Sequence, residues 1–231
     1  MTNKDQIYIE LERNMLSFTD YYDMPIAARP EPLVPIDDNA VLGANIVRAD
    51  ARPITGDATY VRRGVLAQLQ LAGQVLNALA PGLKLEVGYG YRALSVQKQR
   101  FLAHLATIPA ELTGVERLAA AHRAVAVPEV GGHPAGAAVD ICITSGGKQL
   151  DFGTELWDFQ KDSYTYSPYI SREARANRFL LRTVMLEAGF APFDGEWWHF
   201  SYGDREWAKY YNRSAALYEQ IEFRAPGVTD V

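Results

Sequence analysis

The chain has 231 residues, 48% apolar and 22% charged, with a formal net charge of −5 at neutral pH. That is enough chain for one domain with a sizeable core, at an ordinary soluble composition. The acidic balance, with no basic cluster beyond Arg62-Arg63, argues against nucleic acid or an anionic membrane as partner. The single cysteine, Cys142, excludes both an internal disulfide framework and a cysteine-built zinc site.

Residues 1 to about 58 carry Pro25, Pro30, Pro32, Pro35 and Pro53. They read as an extended, proline-punctuated lead-in with short strands that wraps the core of a single domain spanning 1–231. The N-terminus lacks a basic-then-apolar signal pattern, and no apolar run reaches the roughly 18 residues of a membrane span. The expected location is therefore cytoplasmic.

From Tyr60 to Ala80, apolar residues recur at three- and four-residue steps (Val61, Val65, Leu69, Ala72, Leu76, Leu79), which predicts a helix ended by Pro81-Gly82. Leu83 to Gly88 alternates like a strand. A second helix is expected over roughly Ser95–Ala106 and a third within 111–124. Val125 to Ala137 is a glycine- and proline-rich loop, followed by a buried strand over Ala138–Thr144. Ser171 is a suitable N-cap for a helix reaching about Ala188 and closed by Gly189. Two strands, Phe190–Phe193 and Trp197–Tyr202, are expected to flank an Asp194-Gly195 hairpin turn. The pattern predicts an α+β fold, a small mostly antiparallel sheet with helices packed around it.

The chain has four histidines, and two of them sit in the segments richest in chemistry. His133 and Asp140 lie seven apart across a glycine-containing loop, too far for a helical pair, so they would have to converge through a loop-to-strand bend. Gly136 would let the backbone pass close to a metal. Glu196 and His199 lie three apart and would face opposite sides of a regular strand. The chain must be irregular near Glu196 if both are to serve one site.

Two imidazoles, one liganding carboxylate and one spare carboxylate are the parts of a water-activating zinc site, with three protein ligands and one open position. In that reading His199 binds the metal, and Glu196 stays off it to carry a proton from water to the leaving amine. The plainer alternative is a tryptophan-rich core strand flanked by a surface glutamate and a hydrogen-bonded histidine.

Arg92, between a strand and a helix, has the chemistry to steady an oxyanion, or to pair with a carboxylate at a helix start. Asp151 would cap a turn or hold a cationic substrate group. Cys142, in an apolar strand, reads as a buried small hydrophobe. His104 and His122 read as surface or core-edge residues of amphipathic helices.

Taken together, Gly90-Tyr-Arg92, His133 with Asp140 and the intervening Gly136 and Ala138, Asp151-Phe-Gly-Thr, and Glu196-Trp-Trp-His199 resemble the zinc D-alanyl-D-alanine dipeptidases. These belong to the wider group of hedgehog- and D,D-peptidase-like metallopeptidases. The resemblance spans roughly residues 60–203. It implies one Zn2+ held by His133, Asp140 and His199, Glu196 as general base and acid, Arg92 as a transition-state stabiliser, and the α+β fold of that group. Two positions depart from the family pattern. Gly131 stands where a serine is common, removing a hydroxyl that would touch substrate, and Ala93 stands where a proline often follows the arginine.

Asp151 is the expected discriminator within the group. A dipeptidase must recognise a free ammonium beside the scissile bond, which a carboxylate does by a charge-assisted hydrogen bond. The expectation is hydrolysis of the small dipeptide D-Ala-D-Ala in cell-wall precursor turnover. The alternatives are a D,D-carboxypeptidase or endopeptidase on peptidoglycan stem peptides, and a non-catalytic zinc-fold binding module. Oligomeric state has no signature in the sequence.

Overall fold

The structure is a computed structural model and describes residues 2–45 and 47–228. The first element is already a departure, because the lead-in opens on a helix, α1 (Asn3–Arg13), and not on extended chain. Thr2 and Asp5 supply a reciprocal capping box, each side chain accepting from the other's backbone N–H at 3.2 and 2.9 Å. The prolines come only later in the lead-in, where Pro35 ends β1 (Leu33–Pro35) and Pro53 opens the single turn α2 (Arg52–Thr55); β2 (Leu42–Gly43) lies between them.

The helix predicted from Tyr60 begins three residues late. Tyr60–Arg62 is strand β3, antiparallel to β1, and α3 runs Arg63–Leu79. Val65, Leu69, Ala72 and Leu76 form its buried stripe, whereas Leu79 is 60% exposed. Next come β4 (Leu83–Tyr89), α4 (Leu94–Leu105), α5 (Gly114–His122), β5 (Ala138–Ser145) and β6 (Lys148–Gln149). The chain ends through α6 (Arg172–Glu187), β7 (Ala191–Pro192), β8 (His199–Ser201) and α7 (Arg205–Tyr210). Ser171 caps α6 by accepting from Ala174 N–H at 2.9 Å, and Gly189 follows it at φ +81°.

The main sheet has the order β2-β4-β5-β8-β7, with β6 paired to the end of β5. Only β2 and β4 run parallel, so the sheet is mostly antiparallel and the fold is α+β. Strand β5 is central, with seven consecutive buried residues from Ala138 to Thr144. Each large aliphatic side chain buried there contributes about 1.5–3 kcal/mol. Cys142 is one of the seven; burial pushes its thiol up to about 12, consistent with an inert packing role. α3 and α6 cover the sheet with Leu69, Leu76, Leu181, Val184 and Met185.

A long segment between β6 and α6 lies against this core because Arg178, buried in α6, donates to three of its carbonyls. These are Phe152 (2.7 Å), Tyr164 (2.7 Å) and Asp162 (2.9 Å). α1 clamps the same segment from outside: Tyr8 bonds Asp162 and Ser167, and Tyr164 donates to Glu12 at 2.9 Å.

Candidate active site

Three turns and one register pairing bring the predicted residues together. His133 opens a single 3-10 turn (His133–Ala135) that Gly136 closes in the left-handed region at φ +66°. The constraint on Gly136 is different from the one expected: a Cβ there would fall 2.2 Å from Leu33 Cδ2. Asp140, on β5, lies directly opposite His199, on β8.

Asp194-Gly195 does not form a two-residue hairpin. Residues 193–198 make two successive turns, with Glu196 N–H donating to Phe193 O and His199 N–H to Glu196 O, both at 3.1 Å. That irregularity swings Glu196 onto the side of His199, leaving Glu196 Oε2 4.0 Å from His199 Nδ1.

His133, Asp140 and His199 each offer one ligand atom, and all three atoms lie within 4.8 Å of one another. Asp140 Oδ1 is 3.3 Å from His133 Nε2 and 3.1 Å from His199 Nδ1. The other ring nitrogen of His133 donates to Gly90 O at 2.7 Å, which frees Nε2 as a lone-pair donor. Asp140 Oδ2 accepts from the Trp157 indole N–H at 2.8 Å, leaving Oδ1 for the two imidazoles. Two nitrogens and a carboxylate oxygen, with His133 and Asp140 buried and His199 partly so, form a donor set suited to a divalent transition metal.

Burial, reinforced by the charge of Arg92, pushes His133 down to about 4. Burial also opposes charge on His199, but the hydrogen bond and charge of Asp140 prevail and push it up to about 9. Burial pushes the Glu196 carboxyl up to about 8, against the opposing pull of His199.

The donor set faces a cavity of about 430 Å³, which Glu196, Arg92, Gln97 and Gly131 also line. Arg92 Nη1 donates to Gln97 Oε1 at 2.7 Å, its guanidinium lies 4.5 Å from the Tyr89 ring centroid, and its Nε is buried without a partner. The expected consequence of Gly131 is visible as space: a Cβ there would come no closer than 3.3 Å to Pro134 Cδ. Of the described residues in the first 58, only Arg48 lines the cavity.

Asp151 does not join the site. It is exposed and lies just past β6, which pairs with the end of β5 remote from Asp140. Its carboxylate accepts from Gly153 N–H (2.7 Å) and Ser171 Oγ (3.2 Å), so it performs the turn- and cap-stabilising role. The rest of its motif serves the site indirectly. Phe152 stacks on Trp197 at 4.0 Å, and Thr154 Oγ1 accepts from the Trp197 indole at 2.9 Å, which fixes the strand end that carries His199.

His122, expected at the surface or the core edge, is buried and lines the cavity. Its Nδ1 accepts from Val127 N–H at 3.1 Å, so Nε2 carries the proton toward the Tyr21 hydroxyl at 2.9 Å. Trp157, Tyr89, Gln97 and Glu206 were not singled out from sequence. No local pattern marks them; the close approach of Trp157 to Gly88, where a Cβ would lie 2.9 Å from the ring, is visible only in three dimensions.

A family model described as D-Ala-D-Ala dipeptidase, of the peptidase M15 group, matches residues 48–219. The chain belongs to the D-Ala-D-Ala dipeptidase family. A D-alanyl-D-alanine dipeptidase of Synechocystis sp. is 30% identical over 88% of this chain and 94% of its own length. Among solved structures, the LdcB LD-carboxypeptidase is 22% identical over 79% of this chain and 73% of its own, at a TM-score of 0.45. The vancomycin-resistance D,D-pentapeptidase VanY in complex with Zn(II) is 20% identical over 85% of this chain and 97% of its own, at a TM-score of 0.41. The family assignment rests on the two sequence matches. Among the described residues, no helix is long and apolar enough to cross a membrane.

Proposed function

We propose that this family member is a zinc-dependent dipeptidase that hydrolyses D-Ala-D-Ala to two molecules of D-alanine, acting as a single peptidase unit in cell-wall precursor turnover. The observation that carries the reading is the convergence of His133, Asp140 and His199 within 4.8 Å, with Glu196 beside them but outside the donor set. Family membership and the Synechocystis relative support the choice of substrate, a choice for which Asp151 no longer provides an argument.

His133, Asp140 and His199 would hold the zinc ion, which supplies a Lewis acid toward the scissile carbonyl and acidifies the attacking water. Glu196 takes one proton from that water as its oxygen bonds to the carbonyl carbon. The same carboxyl then delivers the proton to the amide nitrogen as the C–N bond breaks, so one residue serves as base and acid in turn. A carboxyl pushed up to about 8 by burial, whose ionised form a bound cation would favour, is matched to proton exchange near neutral pH.

Arg92, held by Gln97 and the Tyr89 ring, presents positive charge to the oxygen that becomes anionic. Its positioning before substrate arrives means that little reorganisation is needed when charge develops. We place the reaction in the cytoplasm, supported by a chain with one buried cysteine and no need of disulfides.

The test is metal-dependent release of free D-alanine from D-Ala-D-Ala by the purified chain. Glu196→Gln should abolish turnover while the protein retains one zinc per chain. A fully active Glu196→Gln protein would remove the assigned mechanism.

A further inference from the structure

With Asp151 outside the cavity, a dipeptidase site needs another receptor for the free ammonium of its substrate. Three carboxylates line the cavity: Asp140, Glu196 and Glu206. The first belongs to the donor set and the second is the proton carrier. Glu206 has no such duty. It is 8% exposed, its Oε1 is buried without a hydrogen-bond partner, and no salt bridge reaches its carboxylate among the described residues. Burial pushes this carboxyl up to about 8, against the opposing pull of His199, and a cation brought to it would favour its charged form.

The side chain is also held in place. It is the second residue of α7, whose N-cap Asp204 accepts from Ser201 Oγ and from Trp207 N–H, both at 2.8 Å. Trp207 in turn anchors the helix by donating its indole N–H to Gly189 O at 2.9 Å.

The opposite wall has the opposite charge. Arg48, Arg92 and Arg100 gather around the Tyr89 ring, with guanidinium carbons 5.7, 4.5 and 5.2 Å from its centroid. Tyr89 sits on β4 and pairs with Asp140, while Glu206 follows β8 on the other side of β5. Asp50 pairs with Arg48 and Arg100 and offsets one of the three positive charges, so the β4 side of the cavity keeps a net positive charge and the β8 side carries Glu206, with the metal donors between them.

We propose that Glu206 receives the α-ammonium of the substrate and restricts this site to peptides whose free N-terminus adjoins the scissile bond. A zwitterionic dipeptide then lies with its ammonium on Glu206 and its carboxylate toward the arginine wall. The assignment rests on the dipeptidase reading above and adds the residue that sets N-terminal specificity. The contact is a charge-assisted hydrogen bond in a site shielded from water.

The experiment measures kcat and KM of the zinc-loaded full chain for D-Ala-D-Ala, for its N-acetyl derivative, and for D-lactoyl-D-alanine, which carries a hydroxyl in place of the ammonium. Glu206→Gln, nearly isosteric, should raise KM for D-Ala-D-Ala about 10- to 100-fold, the range of a hydrogen bond to a charged group. Its kcat should change little, and its rate on the N-acetyl derivative should not fall. Independently of any variant, the wild-type chain should handle D-lactoyl-D-alanine worse than D-Ala-D-Ala by a similar factor. Equal losses on free and blocked peptide would mark Glu206 as merely structural, and an unchanged preference for the free dipeptide in Glu206→Gln would overturn the assignment. If the wild-type chain hydrolyses none of the three, the dipeptidase reading falls and the assignment falls with it. Turnover of D-Ala-D-Ala with no Glu206 dependence defeats the assignment alone.

Discussion

Trp157→Phe removes a hydrogen bond at the metal donors. The Trp157 indole N–H donates to Asp140 Oδ2 at 2.8 Å, and Asp140 is 2% exposed. Its other oxygen is shared between His133 and His199. Trp157 holds this position with its backbone at φ +64°, a region that costs a bulky residue free energy and is retained where surrounding structure enforces it. Arg48 stacks 4.2 Å from the ring, and Gly88 leaves room for the ring to approach β4.

Phenylalanine keeps an aromatic ring for Arg48 but removes the N–H together with part of the indole's packing volume, so the urea midpoint is read alongside to separate the two losses. A hydrogen bond to a charged group is worth about 1.5–3 kcal/mol, which at about 1.4 kcal/mol per decade is roughly 10- to 150-fold. An outer partner of a ligating carboxylate typically contributes about 10–100-fold to metal affinity or activity. The expected result is zinc affinity lowered about 10–100-fold, read by competition with a chromogenic chelator, with kcat/KM falling in parallel at sub-saturating zinc. A folded Trp157→Phe protein with wild-type zinc affinity would refute the claim that this bond orients Asp140.

Three further predictions follow from other parts of the structure. Burial holds His122 at about 4 in the folded chain, against about 6.5 when unfolded. Between those values the unfolded chain binds the extra proton, so stability is full above about pH 6.5 and declines as pH falls toward 4, by up to about 3 kcal/mol from this group. Urea unfolding between pH 7.5 and 4.5 should show a shallower pH slope for His122→Asn than for wild type, and parallel slopes would contradict the assignment. Gly136→Ala should destabilise the fold by about 1–3 kcal/mol, because it combines a left-handed backbone with a Cβ 2.2 Å from Leu33; an unchanged urea midpoint would count against that reasoning. Asp151→Ala should leave kcat and KM for D-Ala-D-Ala within about twofold and cost about 0.5–1 kcal/mol of stability through the turn and the α6 cap. A large rise in KM would restore Asp151 to the site.

Much of the architecture was legible in one dimension because it depends on local rules. The stripe Val65, Leu69, Ala72, Leu76 marks α3, and the Ser171 cap with Gly189 at positive φ brackets α6. The apolar run Ala138–Thr144 marks a strand buried on both faces. The N-terminal helix departs from the extended lead-in that the prolines predict because its Thr2–Asp5 capping box lies upstream of all of them. The Asp194-Gly195 dipeptide misled for a related reason. It favours a tight turn locally, but Glu196 N–H and His199 N–H find partners within a longer double turn that also points Glu196 at the site.

The sequence by itself determined the chemical inventory of the site: His133, Asp140 and His199 as a donor set, Glu196 as the spare carboxylate, and Arg92 as the nearby cation. It could do so because the four segments together resemble the dipeptidase family; the spacing of His133 and Asp140 alone leaves the ligand set open. Only the tertiary structure decided what surrounds them. Asp151 went to the far end of β5 and Trp157 came to Asp140. Glu206, 66 residues from Asp140 along the chain, entered the cavity wall because α7 packs beside β8. Those placements depend on strand order and long-range packing, which no local pattern encodes, and they determine which substrate charges the cavity can accept.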